Sequence, residues 1–211
     1  MTLLNATWEV IKFINLLLNI YEKRENMIKG DSKEYNLLEK WAKDFNCQGY
    51  KTAEIGVRQG LGSKIILDSC QNYSTHIGID PYANLKYQHY DNILPCSIDY
   101  TDEMRDQLLK DFKIYRHKFN LVNITDCEFM ETKFWQESTY AFVHFDGPHM
   151  SRDVMTEALW FANRSAPHTR FVFDDYKKYK MAIITVALTL FNFKILERGK
   201  TRMCLEKLSY A

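Results

Sequence analysis

Apolar and polar positions alternate along this chain in two rhythms. Short apolar runs at Thr52–Ile55, Thr75–Ile79, Phe119–Ile124, Tyr140–Phe145 and Arg170–Phe173 read as buried strands. Between them, stretches with apolar positions three and four apart read as helices, at Glu34–Phe45, Gly60–Cys70, Asp102–Tyr115, Arg152–Ala162 and Tyr179–Phe191. Phe193–Glu197 and Arg202–Lys207 flank the turn Arg198-Gly199-Lys200-Thr201 and read as a terminal hairpin. One connection, Pro81–Tyr100, follows neither rhythm. It carries Tyr82, Tyr87, Tyr90 and Tyr100 among His89, Asn92 and Pro95, and long connections of this kind are often functional. Its tyrosines suit substrate stacking and ordinary packing equally.

The front of the chain is amphipathic. Between Leu3 and Tyr21, Trp8, Ile11, Ile14 and Leu18 face one way, and the polar stripe Asn5, Glu9, Lys12, Asn15, Asn19 and Glu22 faces the other. A polar stripe rules out a membrane span. Such a helix packs on the domain, makes a dimer contact or covers a site. After a connector at Met27–Ser32, Asp31 and Glu34 have the spacing of a capping box.

Strands alternating with helices imply an α/β fold, a mostly parallel sheet covered on both faces, with an antiparallel last strand. The division expected is an N-terminal helical extension at 1–46 and the α/β domain at 47–211. Composition agrees with one soluble globular unit: 211 residues, 46% hydrophobic and 26% charged. With 28 basic and 27 acidic residues, the net charge of +1 offers no strong field for nucleic acid or an anionic membrane. Five cysteines without a C-x-x-C spacing read as reduced thiols, which favours a cytoplasmic location.

Chemistry concentrates where strands end. Glu54-Ile-Gly56-Val-Arg-Gln-Gly60-Leu-Gly62 joins a strand to a helix, and Asp80 ends the next strand, 24 residues after Gly56. Glycines there let a ligand approach the backbone, and a carboxylate about 20 residues on usually meets a ribose. The spacing is not the G-x-G-x-x-G of dinucleotide enzymes. Glu54 would repel a pyrophosphate but suits an amino group or a sulfonium, which points to S-adenosylmethionine (SAM). Asp126, Asp146, Asp174 and Asp175 also follow strand ends, where ligands sit in such sheets. If the strands ending in Asp146 and Asp174-Asp175 are neighbours, three anions crowd together and call for a cation. Hard oxygen ligands suit Mg²⁺, Mn²⁺ or Ca²⁺.

Glu54-x-Gly56-x-x-x-Gly60 together with Ile77-Gly-Ile-Asp80-Pro-Tyr82 resembles motifs one and two of class I SAM-dependent methyltransferases. The carboxylates extend the resemblance to metal-dependent O-methyltransferases of the catechol and macrocin types, over about Thr52 to Tyr176. The resemblance implies a Rossmann-like sandwich with a seven-stranded sheet. Glu54, Gly56, Gly60, Gly62 and Ser63 would line the cofactor, with Asp80 on its ribose and Asp126 at its adenine. Asp146, Asp174 and Asp175 would hold Mg²⁺ or Mn²⁺, and Asp146 would also border the cofactor. His149 stands where the catechol type has its catalytic lysine, and an imidazole can serve as general base near neutral pH. Ala166-Pro167-His168-Thr169 departs from the Gly-Gly turn of many relatives. The acceptor implied is a small-molecule hydroxyl, sugar or phenolic. A homo-oligomer through the N-terminal helices is a further expectation.

Plainer roles remain for the same residues. Asp174 and Asp175 can cap a helix or pair with Lys177 and Lys178; Asp146 and Asp126 can serve turns; His149 can be a cap, and His144 a packed strand residue. Two other functions stay open: a non-catalytic SAM-fold scaffold, and an NAD-linked oxidoreductase, which the acidic glycine turn disfavours.

Overall fold

The computed structural model of the chain describes residues 28, 30, 32–83, 85–91, 94–97 and 100–209. The N-terminal amphipathic segment and Asp31 lie outside the described residues. In chain order the elements are α1 (Tyr35–Ala42), β1 (Lys51–Ile55), α2 (Leu61–Ser69), β2 (His76–Ile79), β3 (Lys86–Tyr87), β4 (Cys96–Ser97) and α3 (Asp102–Asp111), which runs into a 3₁₀ turn at Phe112–Tyr115. Then come β5 (Phe119–Val122), α4 (Asp126–Glu131), α5 (Lys133–Gln136), β6 (Tyr140–Phe145), α6 (Ser151–Ala162), β7 (Ser165–Phe173), α7 (Met181–Thr189), β8 (Phe193–Arg198) and β9 (Met203–Lys207).

Seven strands form one sheet in the order β5-β2-β1-β6-β7-β9-β8, parallel except at β9, which runs against β7 and β8. This is the Rossmann-like methyltransferase architecture expected. Strand side chains alternate between faces. Ala53, Ile55, Ile77, Ile79, Val143, Phe145, Phe171 and Phe173 pack under α4, α6 and α7. Residues of opposite parity face α1, α2 and α3, and among them are Phe142 and Val172 but also Thr52, Glu54, His76 and His144. One layer of the core is therefore apolar and the other has a polar seam. Among the described residues no helix is long and apolar enough to cross a membrane.

Several local expectations shift. Glu34 stands at the N-cap of α1 with φ 58, but its side chain caps nothing there: its carboxylate accepts from Lys200 N (2.9 Å), Thr201 N (2.6 Å), Thr201 Oγ1 (3.0 Å) and Arg202 N (3.2 Å). The turn of the terminal hairpin is thus latched to the start of α1. Two short helices, α4 and α5, occupy a stretch the sequence reading leaves without an element. A capping box, Thr125 with Glu128, starts the first of them. β7 begins at Ser165 rather than Arg170, because Ala166 to Thr169 bulge out of the β6 pairing, with His168 at φ 63. Proline in a sheet is tolerated at such bulges, and Thr169 Oγ1 bonds Tyr140 O and Ala166 O there.

Candidate active site

The carboxyl ends of β1, β2, β6 and β7 converge on two adjoining cavities. A narrow one of 90 Å³ runs along the glycine turn and is lined by Gly56, Asp80, Pro81, Leu85, Asp126 and Asp146, among others. The second, of 340 Å³, is polar, with Lys33, His89, Tyr90, His149, Asp174 and Asp175 in its wall. Tyr100 and Asp146 line both.

The turn folds as its glycines require. Gly56 (φ 80) and Gly60 (φ 91) occupy left-handed backbone, which glycine enters without steric cost. Gly56 also lies so close to the β6 end that a Cβ would fall 2.5 Å from the carbonyl carbon of Asp146 and 2.7 Å from Gly147 N. Gly60 makes room instead for Phe112 and Leu108, and Gly62 for the Glu54 carboxylate, and neither lines these two cavities. Asp80 is buried. Its Oδ2 accepts from Val57 N (3.0 Å) and Arg58 N (2.9 Å), and its Oδ1 from Tyr82 N (3.0 Å). Burial pushes its carboxyl up, against the pull of these three amides. The turn is therefore braced by the same carboxylate expected to hold a ribose, with lone pairs on Oδ1 still to spare.

Glu54 and Ser63 do not face either cavity. Glu54 Oε1 takes a hydrogen bond from His144 Nδ1 (2.7 Å), and Oε2 takes one from the Ser63 hydroxyl. The chain continues from Ser63 Oγ to His76 Nε2 (3.0 Å) and from His76 Nδ1 to Thr52 Oγ1 (2.9 Å). At its other end His144 Nε2 meets Arg202 Nη1 at 3.0 Å. Strand register builds this row: Thr52 lies opposite His76, and Glu54 opposite His144. An arginine can only donate, so His144 Nε2 accepts, its proton sits on Nδ1, and Glu54 Oε1 accepts that proton. Burial pushes the Glu54 carboxyl up to about 8, while Ser63 and Arg202 work against that rise. His76, held at about 3 by burial, and His144, pushed well down by burial and Arg202, are neutral imidazoles. Glu54 is thus a buried strut under the glycine turn, set behind the walls of the two cavities.

The acidic trio does not assemble as expected. Asp146 and Asp174 come together with His149, their nearest ligand atoms within 4.8 Å of one another. Asp175, at φ 46, turns away, accepting from Tyr90 OH (2.9 Å) with Lys178 Nζ at 3.9 Å. A guanidinium enters instead. Arg202 is fully buried, with Nε 3.1 Å from Asp174 Oδ1 and Nη2 3.7 Å from Asp146 Oδ2. The other Asp174 oxygen accepts from the Ser32 hydroxyl. Burial and Asp174 push the Asp146 carboxyl well up, with Arg202 opposing.

His149 is enclosed by the rings of His89, Tyr90 and Tyr179, and its amide donates to His89 O (2.7 Å). Burial and the neighbouring His89 hold its imidazole at about 3. A base must become an imidazolium, which this burial disfavours and the Asp146 carboxylate, with Oδ1 3.9 Å from His149 Nε2, favours. Asp126 opens α4 at the rim of the narrow cavity. Of the loop tyrosines, Tyr82 is buried and donates to Arg58 O (2.6 Å), a packing role, while Tyr90 and Tyr100 reach cavity walls.

Two contributors escaped the sequence reading, Arg202 and Lys33. The one signal for Arg202 in the hairpin sequence is an arginine standing directly before the apolar run Met203–Leu205.

A family model for the methyltransferase domain matches residues 53–176, more than half the chain. No curated protein matches the sequence. Among solved structures, the chain is similar to an rRNA methylase from Streptococcus thermophilus (11% identity, 87% of this chain and 99% of that one, TM-score 0.53). It is also similar to a protein from Streptococcus mutans assigned as a methyltransferase and solved with S-adenosylhomocysteine, SAH (11% identity, 86% and 100%, TM-score 0.55). A third, from Klebsiella pneumoniae and assigned as an O-methyltransferase, shares 10% identity over 92% and 90%, with a TM-score of 0.54. At these identities the likeness is one of fold.

Proposed function

Because this chain belongs to the methyltransferase domain family, we propose that it moves the methyl group of SAM to a hydroxyl of a small polar molecule. The observation that supports this reading best is the shared wall: Asp146 borders both the narrow cavity along the glycine turn and the polar one beside it. A sulfonium methyl reaching out of the first would meet an oxygen held in the second. The narrow cavity takes the nucleoside between Asp80 and Asp126. Its 90 Å³ is below the about 300–1,000 Å³ of ordinary ligand pockets, so lining side chains would have to move to admit the cofactor.

The SAM methyl is already activated, so the protein's task is placement, and in-line placement can supply roughly 7–11 kcal/mol of the barrier. Asp175, Tyr90 and Lys178 would hold the acceptor's other polar groups. Its proton would go to the Asp146 carboxyl, whose hold on a proton is raised by burial and by the neighbouring Asp174. Asp146 thus takes over the role first given to His149, whose ring shapes the cavity wall. A divalent ion fits the spacing of Asp146, His149 and Asp174 but not their charge, because the Arg202 guanidinium already lies against both carboxylates.

Two measurements test the reading. Calorimetry with SAH should show one site per chain, weakened about tenfold or more by Asp80→Ala; SAH that fails to bind the wild type would remove the cofactor. Labelled methyl from SAM should appear on members of a panel of sugars and phenols. Asp146→Asn should lose that transfer while its SAH affinity stays within a few-fold, and undiminished transfer would exclude Asp146 as the proton's destination.

A further inference from the structure

The expectation of a metal rests on one physical premise, that clustered carboxylates in a buried site need a positive charge. The structure meets that premise from within the chain. Arg202 immediately precedes the last strand of the hairpin and carries a fully buried side chain. Three sides of its guanidinium are placed. Nε donates to Lys33 O (2.8 Å) and lies 3.1 Å from Asp174 Oδ1; Nη1 donates to His144 Nε2 (3.0 Å); the ring of Tyr35 covers one face, 4.4 Å from Cζ. Nη2 makes no hydrogen bond of ordinary geometry and lies nearest Asp146 Oδ2, at 3.7 Å. The Glu34 carboxylate fixes the backbone from which this side chain grows, through Arg202 N and the two amides before it.

We propose that Arg202 is the resident cation of this site: a positioning residue that stands against Asp146 and Asp174 where a divalent ion would otherwise be recruited, so that the site holds its two carboxylates without a metal. The inference rests on the methyltransferase reading only for what the carboxylates do, not for how they are held. It accounts for three features together. Asp175 is free to face the polar cavity, because it is not needed as a third ligand. His144 is kept neutral with its Nε2 turned to Arg202, which aims the guanidinium. The Glu54 row beneath His144 then has a purpose, since it fixes that imidazole through Nδ1.

Arginine differs from a metal in a way an experiment can read. A guanidinium cannot be removed by a chelator, and a second cation beside it is repelled. The probe is Mn²⁺ titrated into chelator-treated protein saturated with SAH, followed by the spin-resonance signal of free Mn²⁺. Wild type should leave that signal undiminished. Arg202→Met, which keeps bulk and removes charge, should bind Mn²⁺ about tenfold tighter or more. Arg202→Lys should restore the wild-type behaviour, which a merely structural role would not produce. Stoichiometric Mn²⁺ binding by wild type, lost in Asp146→Asn, would overturn the proposal and needs no Arg202 variant to be seen. Failure of the Met variant to gain Mn²⁺ affinity, with its melting curve still cooperative, would overturn it as well. SAH that does not bind wild type would count against the cofactor reading, and the Mn²⁺ titration would then be read on the protein alone.

Discussion

Replacing Gly56 with alanine separates two reasons for a glycine, and a second glycine supplies the control. Gly56 has φ 80, and its added Cβ would meet Asp146 and Gly147 backbone atoms at 2.5 and 2.7 Å. Gly49 has nearly the same backbone angle, φ 83, with nothing within 4 Å of an added Cβ. At both positions the left-handed conformation should cost roughly 1–2 kcal/mol. At Gly56 the forced separation of two strand ends adds about 1–3 kcal/mol, since backbone cannot rotate away as a side chain can. Gly56→Ala should therefore lose roughly 2–5 kcal/mol, which for a chain of this size lowers the melting temperature by about 2–4 °C per kcal/mol. Gly49→Ala should stop at the smaller figure. Calorimetric melts of both variants test the difference, and SAH titrations of both test its consequence. Pushing Asp146 outward spoils the wall between the cavities, so SAH affinity should fall in Gly56→Ala and stay unchanged in Gly49→Ala. Equal losses of stability in the two variants, or unchanged SAH affinity in Gly56→Ala, would refute the claim that close approach of β1 to β6 builds the site.

Two further outcomes concern charge. His76 is held at about 3 by burial, so below its usual 6.5 the unfolded chain takes up a proton that the folded chain refuses. Its contribution is intact above pH 6.5 and is lost as pH falls toward 3, by up to about 1.4 kcal/mol per unit. The stability advantage of wild type over His76→Gln should therefore narrow between pH 7.5 and 5.5 in urea titrations; a constant gap would show that His76 takes up a proton in the folded protein. Glu34 runs the same way from a different cause. Burial would raise its carboxyl, but the hydrogen bonds from Thr201, Lys200 and Arg202 prevail and hold it at about 2. Its support is present above about pH 4.5 and disappears toward pH 2. Discounted for solvent exposure, Glu34→Gln should cost about 1–2 kcal/mol at pH 7 and progressively less in acid; an unchanged urea midpoint at pH 7 would refute the latch.

What could be read from the sequence follows from the range of the forces involved. Strand and helix periodicity is local, and β6 at Tyr140–Phe145 is found where the apolar run stands. Ligand-bearing strand ends are nearly local too, because a parallel sheet puts them all on one edge. The Thr125–Glu128 capping box was equally local, and overlooking it cost α4. Identities of partners are not local. Glu54 and His144 are separated by 90 residues, and only the β1–β6 register makes them neighbours.

The metal expectation shows where this limit bites. Carboxylates at strand ends are an incomplete charge balance, because a guanidinium reaches them from the residue just before β9, an antiparallel strand inserted beside β7. Antiparallel insertion brings the start of β9 to the carboxyl end of β7, so Met203 pairs with Phe173 and Arg202 lands beside Asp174. A parallel strand in that place would have presented its other end. The reversed direction of one strand therefore decides which residue meets the acids, and with it whether the pair needs an ion from solution.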